Sequence, residues 1–353
     1  MKKHNFSAGP CILPQTVFKE ASESILNFNN MDLSLIEISH RSKDFVEVMS
    51  EATSLVKELL NVPEGYSVLF LQGGASLEFL MVAYNLMKVD GKAAYLDTGT
   101  WSTKAIKEAK LFGHVDIVAS SKDKNYSYIP EMKQLDGVYD YFHCTSNNTI
   151  FGTQMKSFPN VNCPIVCDMS SDIFSKTIDV SKFDLIYAGA QKNLGPAGTT
   201  LVIVKDEILG KTGREIPSML DYKTHISKDS MFNTPPVFSV YVSMLTLRWL
   251  KENGGVEWIE NLNNKKAELL YSTIDNSSIF NGSANIKDRS TMNATFLLND
   301  NNLESEFLSL CDKNGISGLK GHRSVGGYRA SMYNALPLKS VQVLTEIMNQ
   351  LEK

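Results

Sequence analysis

The chain has 353 residues, of which 43% are hydrophobic and 21% are charged, and its formal net charge is −4. This composition is typical of a globular protein, and the length predicts two domains or one large domain with a smaller companion. The acidic balance without a basic stripe argues against a general nucleic-acid binder, and no apolar run is long enough to span a membrane.

The cysteine pattern favours a reducing compartment. The five cysteines are an odd number at wide spacings, and the step from Cys163 to Cys167 is followed by no second Cys/His pair. A zinc site is therefore not expected, and we predict no bound metal. The N-terminal residues include two lysines but no apolar segment of the secretory kind, so we expect a cytoplasmic protein.

The first elements in chain order are an arm and two helices. Residues 1–15 are predicted to be an irregular arm because glycine and proline interrupt any regular structure. One helix is predicted over residues 14–27. A second is predicted over residues 45–60, where apolar side chains recur at helical spacing.

A strand, a glycine turn and a helix come next. Tyr66–Leu71 has the pattern of a buried strand, Gln72–Ser76 that of a tight turn, and Leu77–Met87 that of a helix. This order presents free backbone N–H groups to a phosphate, and Ser76 is predicted to cap the helix and bond the same phosphate. A plain strand-to-helix turn is the alternative, because two glycines without a longer fingerprint are weak evidence.

Further apolar segments predict an α/β protein with a large domain whose mostly parallel mixed sheet is flanked by helices. The predicted strands are residues 92–96, 115–119, 139–144, 165–167, 184–188 and 199–204, and a long helix is predicted over 235–253. Beyond residue 255 the pattern changes to helix 256–275, strand 292–298, helix 303–314, an irregular basic loop and helix 338–351. We therefore predict an N-terminal arm over 1–15, a large domain over 16–255 and a smaller α+β domain over 256–353.

Several chemically capable side chains directly follow predicted strands. Trp101, Thr149, Asp168 and Lys192 each come after a strand, and so does the Gly74–Ser76 turn. Ligands of open α/β sheets bind outside the carboxyl ends of the strands. We therefore expect these residues to lie together at one edge of the sheet.

The chemistry of these residues points to one ligand. Lys192 lies among small residues, where burial can lower the pKa of its amine and leave it nucleophilic toward an aldehyde. Asp168 follows a buried strand, where its carboxylate needs a partner such as a protonated pyridine nitrogen. Trp101 can stack on an aromatic ligand, and Thr149 can donate to a ring oxygen. A ligand with an aldehyde, a pyridine nitrogen, an aromatic face and a phosphate is pyridoxal phosphate.

Each of these residues also has a structural alternative when it is taken singly. Lys192 can be a solvated loop charge, Asp168 a helix cap and Trp101 a core residue, and Thr149 alone says little. These structural alternatives become weaker when the residues are taken together, because all four residues follow strands of one predicted sheet.

Collinear motifs along essentially the whole chain carry a resemblance. They are NFSAGPCILP (5–14), ISHRSKDF (38–45), FLQGGAS (70–76), TGTWSTKA (98–105), TSNNTIFGTQ (145–154), DMSSD (168–172), AGAQKNLGPAGTT (188–200), MLDY (219–222), NTPP (233–236) and GLKGHRSVGGYRASMYNA (318–335). In these motifs the chain resembles the phosphoserine aminotransferase family, which belongs to the class V pyridoxal-phosphate enzymes of fold type I. The Ala75-Ser76 pair matches one branch of that family, whereas other branches carry arginine there.

The resemblance implies roles for the strand-end residues. Lys192 looks like the lysine that forms an imine with the cofactor, and Asp168 looks like the partner of the pyridine nitrogen. Trp101 looks like the stacking ring, and Thr149 looks like the donor to the ring oxygen. The residues that resemble phosphate ligands are Ala75, Ser76 and Gln191, together with Asn233 and Thr234 from the other subunit. A homodimer with shared active sites is therefore implied.

Basic side chains in two turn-rich segments are candidates for substrate binding. They are His40 and Arg41 in the first segment, and His322, Arg323 and Arg329 in the second. Arginine binds carboxylate and phosphate as a bidentate fork, although solvated loop charges are the alternative. The resemblance implies that Arg329 holds the α-carboxylate and that the other four form the pocket for the distal anion, partly across the dimer.

The reaction implied by the resemblance is transamination from L-glutamate to 3-phosphohydroxypyruvate, which gives O-phospho-L-serine and 2-oxoglutarate in serine biosynthesis. The sequence leaves open a related reaction on 4-phosphohydroxy-L-threonine in vitamin B6 synthesis. The alternatives are another class V enzyme, such as an alanine–glyoxylate aminotransferase or a cysteine desulfurase, and a non-catalytic homologue. A desulfurase needs a mobile reactive cysteine, and neither Cys144 nor Cys311 has the context of a glycine-rich lid.

Overall fold

The computed structural model describes residues 3–132 and 134–352. Met1 and Lys2 of the predicted arm, and Lys353 of the predicted small domain, lie outside the described residues. The strands are β1 (His4–Asn5), β2 (Tyr66–Leu71), β3 (Lys92–Asp97), β4 (His114–Ser120), β5 (Tyr141–Thr145), β6 (Asn147–Asn148), β7 (Thr153–Gln154), β8 (Ile165–Asp168), β9 (Leu185–Gly189), β10 (Thr200–Lys205), β11 (Phe280–Gly282), β12 (Asn293–Leu298), β13 (Ile316–Ser317) and β14 (Tyr328–Ser331).

The helices of the described residues include a counterpart for each of the seven helices predicted above. They are α1 (Gln15–Leu26), α2 (Lys43–Leu59), α3 (Gly74–Leu86), α4 (Thr100–Ala109), α5 (Tyr222–Ile226), α6 (Val237–Glu252), α7 (Gly255–Asp275), α8 (Glu304–Lys313) and α9 (Leu338–Leu351). In α2 the Ser42 side chain accepts from the Phe45 N–H and caps the helix, which therefore begins two residues before the predicted start. In the part of the chain that the structure describes, no helix has both the length and the apolar character needed to cross a bilayer.

The largest sheet among the described residues has seven strands in the order β2-β10-β9-β8-β5-β3-β4. The β9-β8-β5-β3-β4 neighbours pair parallel, whereas β10 pairs antiparallel with both β2 and β9. The α/β class with a mostly parallel mixed sheet is thus confirmed. Because β10 is antiparallel to both of its neighbours, β2 points in the same direction as β9. The carboxyl ends of β2, β3, β5, β8 and β9 therefore lie at one edge of the sheet.

A second, smaller sheet joins β11, β12 and β14 in antiparallel pairs. Its apolar side packs with α7, α8 and α9 around a core that includes Phe280, Phe296 and Leu344. The prediction of an irregular basic loop between residues 314 and 338 was wrong in part, because Tyr328–Ser331 within it forms the edge strand β14. The division of the chain into domains at residue 255 stays a prediction.

The N-terminal arm is more ordered than the sequence indicated. Its residues His4 and Asn5 pair in parallel with Ile316 and Ser317, so β1 and β13 form a two-stranded sheet. Phe6 is fully buried in the core of the smaller sheet. The arm therefore packs against the C-terminal part of the chain before it runs toward the carboxyl edge of the large sheet.

Candidate active site

A cavity of about 400 Å³ lies at the edge where the parallel strands end. The predicted site residues that line it are Ala75, Ser76, Trp101, Thr149, Asp168, Gln191, Lys192, His322 and Arg329. The expected clustering of strand-end residues is therefore present in the fold. Two of these, His322 and Arg329, come from the second basic segment, which is distant in sequence from the strand ends.

The N-terminus of α3 forms one end of the cavity. The helix begins at Gly74, three residues before the predicted start, and its N-cap is Gly73 with φ 90°. The prediction that Ser76 caps this helix was wrong, because Ser76 lies in the first turn and no side chain among the described residues caps the helix. The first backbone N–H groups of a helix have no intrahelical acceptor, so this end is suited to an anion.

A glycine at the end of β9 keeps this anion site open. A β-carbon added to Gly189 would stand 3.7 Å from the backbone nitrogen of Ala75. A longer side chain at position 189 would therefore cover that N–H group. Gln191, which comes two residues later, lines the same cavity.

Lys192 and Asp168 form an electrostatic pair in the cavity wall. Burial lowers the pKa of Lys192, and the charge of Asp168 partly opposes this effect. Burial raises the pKa of Asp168, against hydrogen bonds from Ser170 and the charge of Lys192. The Ser170 N–H donates to Asp168 Oδ1 at 2.9 Å, so one carboxylate oxygen is fixed by the backbone. The result is an amine that deprotonates more readily beside a carboxyl group of fixed orientation.

Trp101 and Thr149 are joined by a hydrogen bond. The indole Nε1–H of Trp101 donates to Thr149 Oγ1 at 3.1 Å. Because an indole is only a donor, the Thr149 hydroxyl is the acceptor here and its own proton stays available to another group. The Nζ atom of Lys192 lies 5.9 Å from the centre of the Trp101 ring, so the aromatic face and the amine share one wall.

Arg329 reaches this group from the smaller sheet. It lies on β14, and its Nη1 donates to the Thr149 backbone carbonyl at 3.0 Å. Burial lowers the pKa of Arg329. Burial also lowers the pKa of His322, and the charges of Arg329, Arg323 and Lys104 add to that effect.

The remaining predicted site residues do not line this cavity within one chain. They are His40, Arg41, Arg323, Asn233 and Thr234. His40 is buried, and its Nε2 has no hydrogen-bond partner in residues 3–132 and 134–352. Arg41 and Arg323 are exposed, while the Thr234 carbonyl accepts from Gln72 Nε2 at 2.9 Å. Their predicted roles, several of which depend on a second subunit, stay predictions.

The N-terminal arm contributes to the site in a way that sequence reasoning missed. Ala8 and Gly9 line the cavity. The Cys11 N–H donates to the Gln191 carbonyl at 3.2 Å, and its thiol donates to the Lys192 carbonyl at 2.9 Å. Burial raises the pKa of the Cys11 thiol to about 12, which keeps it a donor. The run of small residues in the SAGP segment was the available signal for close approach to a ligand.

The donor set fits pyridoxal phosphate. The cavity combines an uncapped helix N-terminus, a lysine amine, a buried carboxyl group and an indole ring, with a threonine whose hydroxyl donates to none of the residues that the structure describes. Each corresponds to one part of that ligand, namely the phosphate, aldehyde, ring nitrogen, ring face and ring oxygen. The fit rests on these side chains and on the glycine at position 189, which leaves the phosphate end open.

The fold and this donor set define a pyridoxal-phosphate enzyme, and comparison with known proteins gives its class. The family described as Aminotransferase class-V matches residues 3–344. The phosphoserine aminotransferase of Flavobacterium psychrophilum is 68% identical over 353 residues, which is 100% of this chain and 99% of that protein. The chain therefore belongs to the phosphoserine aminotransferase family within the class V aminotransferases.

Solved structures agree with this membership. Phosphoserine aminotransferase from Bacillus circulans subsp. alkalophilus has a TM-score of 0.96 and 43% identity, covering 99% of this chain and 98% of that one. The PLP-bound phosphoserine aminotransferase from Trichomonas vaginalis has a TM-score of 0.93 and 36% identity, covering 99% of this chain and 100% of that one.

Proposed function

We propose that this chain is a pyridoxal-phosphate-dependent transaminase that converts 3-phosphohydroxypyruvate and L-glutamate into O-phospho-L-serine and 2-oxoglutarate. The observation that carries the proposal is the meeting of Lys192, Asp168 and Arg329 in one cavity. The similar proteins are named phosphoserine aminotransferases, which supports phosphoserine as a substrate of the amino transfer. Serine biosynthesis is the corresponding place in metabolism.

The cofactor, when bound, supplies an aldehyde and an electron-withdrawing ring. Lys192 would hold the aldehyde end until the amine of the substrate replaces it, and the freed Lys192 amine would then move the proton of the substrate Cα atom as a general base. Asp168 keeps the proton on the ring nitrogen, which its charge favours. Trp101 would orient the ring by stacking, and Thr149 would donate its hydroxyl proton to the ring oxygen.

The phosphate end of the cofactor is assigned to the α3 N-terminus. Ala75 and Ser76 offer first-turn N–H groups, and Gln191 supplies a side-chain amide from the β9 end. Because no arginine stands in this turn, the helix N-terminus provides much of the attraction for the phosphate. Asn233 and Thr234 are assigned to the same phosphate from a second subunit.

The substrates require two anion sites. Arg329 is assigned to the α-carboxylate because its guanidinium extends from β14 into the cavity beside Thr149. His322 and Arg323 are assigned to the distal phosphate or carboxylate, together with His40 and Arg41 of a second copy. Histidine suits a pocket that must take both anions, because its charge responds to a phosphate dianion.

An acceptor-selectivity assay tests the proposed substrates. Purified protein loaded with pyridoxal phosphate is incubated with L-glutamate and either 3-phosphohydroxypyruvate, pyruvate or glyoxylate, and 2-oxoglutarate is measured. We expect kcat/KM for the phosphorylated acceptor to exceed the others by about 10²-fold or more, because unmatched cations in the pocket penalise a neutral side chain. Faster turnover of glyoxylate would favour the alanine–glyoxylate alternative, and no 2-oxoglutarate with any acceptor would favour a non-catalytic homologue.

A homodimer with shared sites and a cytoplasmic location belong to the same proposal. All five cysteines are free, in keeping with a reducing compartment. Co-expression of Lys192→Ala and Arg41→Ala chains with different tags tests the sharing. A mixed dimer would contain one complete site, so random pairing should restore about a quarter of the wild-type rate. A mixed dimer as inactive as either parent would contradict the assignment of Arg41 across the interface.

A further inference from the structure

A second buried carboxylate lies behind the cavity on the turn that carries Asp168. Asp172 is 3% exposed, and it is not part of the cavity lining. Its Oδ1 accepts a short hydrogen bond from the Ser146 hydroxyl. Its Oδ2 accepts from Gln154 Nε2 at 3.1 Å and lies 3.7 Å from Lys176 Nζ. Each oxygen of this side chain thus accepts a hydrogen bond from a segment outside its own turn.

Ser146 connects this carboxylate to the main chain of Asp168. The Ser146 N–H donates to the Asp168 carbonyl at 3.0 Å, and the Ser146 hydroxyl oxygen lies 3.0 Å from the same carbonyl. Three residues after Ser146 comes Thr149, which bonds both Trp101 and Arg329. Asp172 therefore joins the turn that bears the ring-nitrogen partner to the loop that bears the ring-oxygen donor.

The neighbours of Gln154 fix the direction of its amide. Gln154 Oε1 accepts from Lys156 Nζ at 3.0 Å and from the Thr291 N–H at 3.3 Å. The NH₂ group of Gln154 is therefore directed at Asp172, and position 172 must offer an acceptor there. An apolar side chain at 172 would leave that buried donor without a partner, which is costly.

We propose that Asp172 is a positioning residue: its two hydrogen bonds hold the Asp168 turn against the Thr149 loop, so that Asp168 meets the ring nitrogen of bound pyridoxal phosphate. The inference rests on the role proposed above for Asp168. Asp172 itself does not line the cavity and would not touch the pyridoxal phosphate bound there, so it acts through Asp168.

Two substitutions separate hydrogen bonding from charge. In Asp172→Asn the amide oxygen can accept from Gln154 while the NH₂ donates to Ser146, whose proton then goes to the Asp168 carbonyl. Asp172→Leu has a similar volume but offers neither bond. Lys176→Met is the matched control, because it removes the ion partner and leaves both hydrogen bonds of Asp172 in place.

The test measures binding to cofactor-stripped protein with two ligands. One is pyridoxal phosphate, and the other is its deaza analogue, in which CH replaces the ring nitrogen. We expect Asp172→Leu to raise Kd for pyridoxal phosphate about tenfold or more, and Kd for the analogue less than about threefold. Asp172→Asn and Lys176→Met should both stay within about threefold of wild type for both ligands.

Several outcomes would overturn the inference. Equal weakening of both ligands by Asp172→Leu would show a general structural role, and a loss of the same size in Asp172→Asn would show that the charge of Asp172 is needed rather than its hydrogen bonds. If Asp172→Leu does not fold, Ser146→Ala removes the connecting hydroxyl and should show the same ligand discrimination at a smaller size. Asp168→Asn serves as the reference: if it fails to discriminate between the two ligands, the proposed function of Asp168 fails, whereas discrimination there without any in the position-172 and Ser146 variants sinks only the present inference.

Discussion

Two buried carboxyl groups contrast two regions of the molecule, the cavity edge and the layer between the large sheet and α3. Asp168 is 5% exposed, and Glu78 is fully buried. Asp168 has a fixed backbone donor and the charge of Lys192 beside it. Glu78 accepts only the Tyr222 hydroxyl, and its Oε1 has no partner in the part of the chain that the structure describes.

The difference teaches where burial serves chemistry and where it does not. Burial raises the pKa of both groups, and for Glu78 it raises the pKa to about 8. At Asp168 the effect of burial on the pKa is opposed by the hydrogen bonds from Ser170 and by the charge of Lys192, as the proposed role of a charged partner for a ring nitrogen requires. At Glu78 a single hydroxyl is the only compensation that the described residues offer, so we expect a neutral acid without a part in the reaction.

The largest expected effect is at Lys192, the cation whose charge acts on Asp168 in the first of the two regions. Lys192→Ala should lower kcat on the order of 10³-fold or more, because the variant lacks both the amine proposed to hold the cofactor and the proposed base for the substrate Cα proton. The visible absorbance of the bound cofactor should change as well. Turnover and spectrum are measured on protein loaded with pyridoxal phosphate, and near-wild-type activity would refute the assignment.

Matched carboxyl-to-amide exchanges compare the two regions directly. Asp168→Asn keeps the size of the side chain but removes its charge, and we expect kcat to fall about 10²-fold. The same exchange at position 78 should change kcat less than about threefold, because a neutral acid is replaced by a neutral amide. Steady-state kinetics on both variants measure the two changes in kcat. If they are of equal size, the proposed difference between the two regions is refuted.

Much of the cavity edge could be predicted because its signal is local. Asp168 and Trp101 each follow a short apolar strand, and parallel strands place such positions at a shared edge. The start of α3 was missed by three residues because Gly74 is a poor helix former, yet it adopts φ 65° at the first helical position. The local pattern therefore located the turn but not the helix N-terminus within it.

The long-range parts of the structure could not be predicted from a single sequence. The pairing of His4 with Ile316 joins short segments with no strand pattern of their own. Tyr328–Ser331 is brief and follows two glycines, so its place at the edge of the smaller sheet depends on β12. Glu78 looks like a surface charge on a helix until Tyr222, far along the chain, covers it.

Substitution of Arg329 tests whether the smaller sheet supplies a group that binds substrate rather than one that takes part in catalysis. Arg329→Ala should raise KM about 10–100-fold for both L-glutamate and 3-phosphohydroxypyruvate, because each has an α-carboxylate that loses a charge-assisted fork. Arg329→Lys is the control that keeps the charge without the fork, and it should recover part of the loss. An increase in KM for only one substrate would contradict a shared carboxylate site.

The smallest effect on activity, and a distinct effect on stability, is expected for Glu78→Gln. The pKa of about 8 in the folded protein lies above the ordinary 4.5, so the stability that Glu78 contributes is complete below about pH 4.5 and is lost as the pH rises through 8. Glutamine does not titrate, so relative to this variant the wild type should lose on the order of 2–4 kcal/mol of unfolding free energy across that range. Urea unfolding of both proteins at about pH 5 and about pH 9 measures the difference, in which titrations common to both cancel. A difference in unfolding free energy that does not vary with pH would mean that a partner keeps Glu78 ionised in the folded protein. The contrast with Asp168 would then disappear, because a buried carboxylate stabilised by a partner is what distinguishes the cavity edge.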